Sequence, residues 1–257
     1  MVILRQNLKL PYLSRQLLCI TGWLMLLAGS AAAQSMNLDL GEGGGSVTSR
    51  ILQLFAVVTV LSLAPSILVM VTSFTRIVVV LSFLRSALGL QQTPPNTVLI
   101  SLALFLSLFI MTPTFEEAYN QGIKPLIDEQ ISEEESFDLT IKPFHAFMLS
   151  HVREKDLELF LDIAKEDKVE KAEDTPLQVL IPAFMISELR RAFEIGFLIY
   201  IPFLIIDMLV ASTLMAMGMM MLPPVVVSLP FKLIFFVLVD GWYMIAGSLV
   251  KSFGGFS

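Results

Sequence analysis

The fold turns on residues 215–224, which read Met215-Ala216-Met217-Gly218-Met219-Met220-Met221-Leu222-Pro223-Pro224. Methionine, which supplies five of the first seven side chains, is unbranched and adapts to surfaces of many shapes. A Pro-Pro pair cannot continue a helix, because neither ring nitrogen donates and each ring disfavours the α conformation in the preceding residue. Long apolar runs flank the stretch, so it predicts a helical hairpin whose tip carries deformable, uncharged side chains.

The methionine-rich tip is consistent with two interpretations. In the first, it is a lipid-buried turn in which methionine only fills space. In the second, the tip contacts something of variable shape, for which an adaptable side chain is an advantage. The stretch alone leaves both open.

Composition places the chain in the membrane class. Of its 257 residues, 55% are hydrophobic and 16% are charged, whereas soluble domains average about 25% charged residues. Apolar runs longer than about 18 residues recur, as expected for membrane helices. The net charge of −6 argues against nucleic-acid binding, which needs a basic surface.

The residues that carry most enzyme chemistry are sparse. The chain has one cysteine, Cys19, and its two histidines, His145 and His151, lack the i, i+4 spacing of metal ligands on one helical face. No phosphate-binding glycine loop or Ser/His/Asp set is present in the sequence. We therefore predict no enzyme activity, no metal and no cofactor.

The N-terminal region is typical of a secretory signal peptide. Basic residues precede a short apolar region at 17–27, and Ala31-Ala32-Ala33 fits the small-residue cleavage rule. Removal of residues 1–33 would leave the mature N-terminus outside the cytoplasm; the alternative is an uncleaved first membrane helix. Residues 34–50 form a predicted glycine-rich linker, which cannot bury a core.

Residues 51–112 are predicted to form a first helical hairpin from two apolar runs. The connection between the runs carries Arg76 and Arg85 and breaks at Pro94-Pro95. The positive-inside rule places this connection towards the cytoplasm, in agreement with an external N-terminus.

Residues 113–182 form a predicted acidic, mostly helical extracytoplasmic segment. Within it, residues 116–174 hold 17 acidic and 7 basic side chains. One helix is predicted at 152–163 and another start at Thr175-Pro176, with Pro182 interrupting or restarting it. The acidity is interpreted either as a docking face or as an ordinary solvated surface. The predicted fold class is all-α, with membrane-associated hairpins on both sides of this segment.

Residues 183–257 are predicted to form the second hairpin, with charges inside its apolar runs. Such charges cost several kcal/mol unless they are paired or hydrated. Glu188, Arg191 and Glu194 are spaced to share one face, and Arg190 stands at i, i+4 from Glu194, so the first run can neutralise itself. The other charged residues inside the two runs are Asp207, Lys232 and Asp240, with the last two predicted on one side of the same helix.

Two hypotheses concern those remaining charges. In the first, the partners of Asp207, Lys232 and Asp240 lie across the hairpin or on a neighbouring subunit. In the second, the helices never enter lipid, and these charges are hydrated. A secondary transporter or proton-conducting channel using Asp207 and Asp240 is the alternative function, although no repeat-related broken helices are visible in the sequence. An intramembrane aspartyl protease would need both carboxylates to share a proton, and neither sequence context suggests this.

Three motifs are similar to a known family. Residues 182–196 read Pro182-Ala183-Phe184-Met185-Ile186-Ser187-Glu188-Leu189-Arg190-Arg191-Ala192-Phe193-Glu194-Ile195-Gly196, which resembles a signature of the FliP/SctR family of type III export-gate proteins. Leu229-Pro230-Phe231-Lys232 with Val239-Asp240-Gly241-Trp242 resembles the second signature, and residues 75–96 are also similar. The resemblance covers about residues 50–255. The signal peptide and the acidic segment favour the flagellar branch of the family.

The resemblance implies a role and a set of partners. Such proteins assemble as five copies with FliQ and FliR, and with other export-apparatus and basal-body proteins, into a helical cone in the bacterial inner membrane. Unfolded flagellar subunits pass through the cone, whose hairpins lie above the ordinary membrane plane. The positions that match the family's methionine gasket are Met219, Met220 and Met221, with Met217 adjacent, and Gly218, Pro223 and Pro224 shape the tip.

Overall fold

The computed structural model describes residues 47–165, 174–219 and 221–254. All regular secondary structure in these residues is helical, which confirms the predicted all-α class. The predicted signal peptide and residues 34–46 of the predicted linker lie outside the described residues. The helices are α1 (Val47–Met70), α2 (Phe74–Ala87), α3 (Asn96–Ala118), a π-helical turn (Tyr119–Ile123), α4 (Lys124–Ile127), α5 (Glu133–His151), α6 (Glu154–Ala164), α7 (Leu177–Ala216), α8 (Pro224–Leu238) and α9 (Gly241–Lys251).

The chain divides into two units, residues 1–56 and residues 57–257. In the first unit, the described residues 47–56 are helical and begin α1. Helix α1 therefore includes residues 47–50 of the predicted linker.

Several helices have the length and apolar character of membrane spans. Asn96–Ile127 and Leu177–Ala216 each qualify as one continuous helix. The number of spans rises to four if each of two bent helix pairs counts as one span. These pairs are Leu54–Met70 with Phe74–Ala87, bent by 66°, and Pro224–Leu238 with Gly241–Lys251, bent by 62°. The described part of the chain therefore has the membrane character that its composition predicts.

Helix α2 occupies the centre of the second unit and packs against α7 and α3. Its buried residues Ile77, Val80 and Leu81 meet Ala192 of α7 in one apolar cluster. This arrangement corrects the expectation that the segment carrying Arg76 is only a connection. The eight residues between Arg76 and Arg85 are mostly apolar, so burying their helical face stabilises a helix there.

Helix α7 runs through two prolines, of which Pro182 was expected to disturb it. It begins at Leu177 after Pro176, which is the N-cap residue in place of the predicted Thr175, and it continues past Pro182 and Pro202. The expectation that Pro182 interrupts or restarts the helix was therefore wrong. A proline removes one backbone hydrogen bond, and the contacts of α7 with α2, α5 and α6 compensate for that loss.

The apolar run at residues 225–250 also differs from its prediction as one helix. It breaks into α8 and α9 at Asp240, whose backbone is left-handed (φ 51°, ψ 53°). Aspartate tolerates this conformation better than most residues. Asp240 therefore lies at a bend, and it does not share a helical face with Lys232.

The acidic segment folds into helices that pack onto α7. Ser132 caps α5 by accepting the Glu135 amide at 3.3 Å, and three acidic side chains in the first turn complement the helix dipole. Helix α6 confirms the helix predicted at 152–163. Met148 of α5 joins the buried cluster of Leu180 and Phe184 on α7, so this segment shares a core with the long helix.

Candidate functional site

The methionine tip, residues 215–224, has a hydrogen-bonded backbone at each of its two ends. Helix α7 ends in a Schellman motif, in which the Gly218 amide donates to the Met215 carbonyl and the Met219 amide to the Leu214 carbonyl, both at 3.0 Å. Gly218 adopts a φ of +76°, which a residue with a Cβ atom adopts only with strain. Pro223 is the N-cap residue of α8 and Pro224 its first residue. The Pro-Pro pair thus begins a helix as well as preventing continuation of the previous one.

The described methionine side chains of this tip are exposed. Met217 is 67% exposed, Met219 41% and Met221 97%, whereas Met220 lies outside the described residues. No charged residue occurs between Asp207 and Lys232 in the sequence. The tip therefore presents an apolar, flexible and uncharged surface.

Below the tip, one ion pair joins the two arms of the hairpin. Lys232 Nζ lies 2.7 Å from Asp207 Oδ2, and the Ser228 hydroxyl donates to Asp207 Oδ1. Lys232 Nζ also donates to the Ala87 carbonyl at 3.2 Å, at the C-terminus of α2, where the helix dipole favours a cation. We call the ion pair of Asp207 and Lys232 the hairpin pair. It fastens α7, α8 and α2 together.

A second ion pair is buried at the other end of α2. The Arg76 guanidinium binds Glu188 of α7 in a bidentate manner, with Nε donating to Oε2 at 2.8 Å and Nη2 donating to Oε1. The side chains are 1% and 0% exposed. Bidentate geometry and full pairing are what make two buried charges tolerable.

The end of the chain completes this second site. Arg76 Nη1 donates to the Ser252 carbonyl at 3.2 Å and to its hydroxyl at 3.0 Å. The Phe253 ring centroid lies 3.7 Å from the guanidinium carbon. We call Arg76, Glu188, Ser252 and Phe253 the charge clamp.

Of the other charged residues predicted to pair, two form an exposed ion pair and two form none among the residues that the structure describes. Arg190 and Glu194 form an exposed pair at 2.9 Å, at the i, i+4 spacing seen in the sequence. Within the described residues, neither Arg191 nor Asp240 forms an ion pair. The sequence spacing would allow Glu188 to be neutralised along its own helix, but Glu188 faces α2 and binds Arg76.

The two glycines of the signature motifs are explained by close contacts. A Cβ atom on Gly196 would lie 2.7 Å from the Phe83 ring, so glycine lets α2 approach α7. A Cβ atom on Gly241 would lie 2.1 Å from the Phe236 ring, which packs edge-on against Trp242. Both motifs therefore encode the packing that positions the second hairpin.

The sequence interpretation did not include the hydrogen bonds of three serines, Ser187, Ser228 and Ser252. Ser187 of α7 donates to Asp156 Oδ2 at 2.7 Å and accepts the Arg153 amide at 3.0 Å, so it attaches α6 to α7. The role of Ser228 and the whole C-terminal contact to Arg76 were also missed. One signal was available: Arg76 and Glu188 are both charges inside apolar runs, and either could neutralise the other.

The two histidines are hydrogen-bonded structural residues. His145 Nε2 lies 2.8 Å from the Thr175 carbonyl, and His151 Nδ1 lies 2.8 Å from the Phe147 carbonyl. In the part of the chain that the structure describes, no group of three His, Cys, Asp or Glu side chains is arranged to hold a metal ion.

These features define a class, a helical membrane-associated protein whose helices are held together by ion pairs. The FliP family model matches residues 57–249, and the chain belongs to this family. It is 60% identical to the flagellar biosynthetic protein FliP of Caulobacter vibrioides, over 89% of this chain and 86% of that protein. It is 57% identical to the protein of that name in Bacillus subtilis (85% and 98% covered) and 52% identical to that of Rhizobium meliloti (90% and 96%).

Proposed function

We propose that this chain is a core subunit of the flagellar protein-export gate and that it lines the channel for unfolded flagellar subunits. In this proposal five copies assemble with FliQ and FliR in the bacterial inner membrane, after removal of the signal peptide. Membership of the FliP family and relatives named as flagellar biosynthetic proteins support a flagellar role. The role is structural rather than enzymatic.

The observation that carries the channel proposal is the exposed, uncharged methionine tip. A channel that accepts many unfolded sequences cannot recognise particular side chains, because the passing chain changes continuously. It needs an apolar ring that closes around any chain and excludes ions by dewetting when empty. Met217, Met219 and Met221 have the flexibility and the exposure that such a ring requires.

The position of the hairpin pair adds a second argument. Asp207 and Lys232 join the two arms of the hairpin below its tip, and Lys232 fastens them to α2. The Schellman motif at Gly218 fixes the backbone at the end of α7. The tip thus combines a positioned backbone with mobile thioether side chains, as a gasket requires.

The first test is ion leakage through the closed gate. Replacing Met217, Met219 and Met221 together by alanine removes the thioethers from the ring, so we expect increased ion leakage across the inner membrane of cells that express the variant. The control replaces three exposed helical methionines elsewhere, Met70, Met208 and Met244, which are 42%, 63% and 56% exposed. Leakage that is unchanged by the tip variant, or raised equally by the control, would count against the gasket.

The second test is contact with a passenger. Because Cys19 is the one cysteine in the sequence, Cys19→Ser with Met221→Cys leaves a single thiol at the tip. A flagellar subunit arrested during export should crosslink to this thiol. The control thiol is Val237→Cys on α8, where the native side chain is 75% exposed. Crosslinking at position 237 but not at 221 would exclude the tip from the channel.

A transporter or proton-conducting channel remains the second candidate, because the described residues contain two bent helix pairs. However, Asp207 is engaged by Lys232 and Ser228, and Asp240 lies at the bend between α8 and α9. Proton flux through purified protein in liposomes separates the two functions. A flux that is abolished by Asp207→Asn, with export of flagellar subunits retained, would favour the transporter.

A further inference from the structure

The last described turn of the chain, residues 252–254, reaches the buried ion pair between α2 and α7. Ser252 and Phe253 contact a side chain 176 and 177 positions earlier in sequence, Arg76. We propose that these two residues are positioning residues, which orient the Arg76 guanidinium towards Glu188 and thereby hold α2 against α7. This inference does not depend on the proposed channel.

The first argument is the hydrogen bonding of Arg76. A guanidinium carries five N–H donors and no acceptor, and Glu188 engages only the edge formed by Nε and Nη2. Nη1 faces the other way, in a side chain that is 1% exposed and so has no access to bulk water. Ser252 provides two acceptors for Nη1, its carbonyl and its hydroxyl. Without them a buried charged donor would lack a partner, which is costly.

The Phe253 ring also holds the Arg76 guanidinium in place. Arginine stacks on aromatic faces, and this attraction strengthens when water is excluded. Phe253 is 7% exposed, and its ring lies 3.7 Å from the Arg76 guanidinium carbon. The ring also stacks on Phe147 of α5, with centroids 6.1 Å apart and planes at 18°. Phe253 is therefore itself held in place and can restrain the plane of the guanidinium.

The third argument is the order of the terminal turn. The Ser252 amide donates to the Ser248 carbonyl at 2.9 Å, and its hydroxyl also donates to the Leu249 carbonyl at 2.7 Å. The Phe253 amide donates to the Val250 carbonyl at 3.2 Å. These bonds continue from α9 and build the turn independently of Arg76. The turn therefore provides a preformed receptor for the guanidinium.

Hydrogen exchange of the α2 amides tests the role of the ring. In the full chain, purified in nanodiscs, Phe253→Leu keeps an apolar side chain but removes the aromatic face. We expect exchange around Arg76 to become about tenfold faster, because a desolvated cation–π contact is lost. Phe253→Trp keeps an aromatic face and should keep exchange slow. Equal acceleration by leucine and tryptophan, or no acceleration by leucine, would overturn the proposal.

A second background separates positioning from simple packing. Arg76→Met with Glu188→Met replaces the ion pair by apolar side chains of similar size, a change that buried pairs often tolerate. In this background Phe253→Leu should change exchange by less than about twofold, because no guanidinium is left to orient. The same tenfold acceleration in both backgrounds would show that Phe253 acts only by filling space. If the double variant fails to fold, the comparison of leucine with tryptophan decides alone.

Chain length provides an independent test. A chain ending after Gly254 retains both positioning residues and should exchange as the full chain does. A chain ending after Lys251 lacks both residues and should lose protection in α2. Ser252→Ala keeps the carbonyl acceptor, so it should have an intermediate effect on exchange in α2. The matched control is Ser248→Ala, which changes an exposed serine of the preceding turn. Full protection in the chain that ends after Lys251 would overturn the proposal.

Discussion

The charge clamp contacts α7 through Glu188, whereas the methionine tip follows the end of the same helix, and the two sites have opposite physical properties. In the clamp, Arg76 and Glu188 are almost fully buried, and both carboxylate oxygens are hydrogen-bonded. At the tip, the Met221 side chain is 97% exposed. In this chain, therefore, the rigid contacts and the adaptable surface lie at different places. Directional, charged contacts fix the helices, and soft side chains are displayed where the helices end.

The largest expected effect is loss of the clamp. Glu188→Ala leaves the Arg76 cation buried without a counter-charge, so we expect a loss of about 3–5 kcal/mol in the free energy of unfolding. The control is Glu194→Ala, which breaks the exposed pair with Arg190 and should cost at most about 1 kcal/mol. Thermal unfolding of the detergent-solubilised variants measures both. Equal losses would mean that burial of the clamp does not matter.

The hairpin pair should show an intermediate effect. Lys232→Met removes the partner of Asp207, whose side chain is 26% exposed, so we expect a loss of about 1–3 kcal/mol. Adding Asp207→Asn should restore part of that loss, because the uncompensated charge disappears. A double-mutant cycle by thermal unfolding measures the coupling. Strictly additive losses would show that the two side chains act independently.

A smaller effect is expected at the start of the tip. Gly218→Ala forces a Cβ atom into a left-handed conformation, so we expect a loss of about 1 kcal/mol despite the open space around the residue. The matched control is Gly247→Ala in α9, where space is also open, and there we expect a gain of about 0.5–1 kcal/mol. The two substitutions should therefore shift thermal unfolding in opposite directions. Shifts of the same sign would argue against the Schellman end of α7.

The smallest expected effect on stability is at the exposed methionines. Met221→Ala should change the free energy of unfolding by no more than about 0.5 kcal/mol, because its side chain makes little buried contact. The same substitution should still alter ion leakage if the tip closes the channel. Denaturant unfolding and a leakage assay on one variant separate the two. A large loss of stability would show that Met221 is a packing residue.

Much of the architecture follows from local patterns. The apolar runs predict helices with membrane character, and the methionine and proline pattern at 215–224 predicts a hairpin tip, which α7 and α8 form. Helical periodicity also predicts the short helix α6. These predictions succeed because apolar length and proline chemistry act over a few residues.

The bend at Asp240 was not predictable in the same way. An apolar run that contains one aspartate is compatible with a continuous helix, and the Asp240-Gly241 dipeptide, although it often marks turns, does not by itself end such a run. Contacts between Gly241, Phe236 and Trp242 form only once the two halves have folded against each other. Tertiary packing thus decides where the run breaks.

The same division holds for the charges. The sequence by itself determined that Glu188, Asp207 and Lys232 require partners, because a lone charge in an apolar helix is too costly. Only the tertiary structure decided which partners they have, because Arg76 lies 112 positions from Glu188 and Ala87 lies 145 positions from Lys232. Spacing in the sequence identifies only neighbours on the same helix. Folding places α2 beside Glu188 and Lys232, although α2 is far from both in sequence.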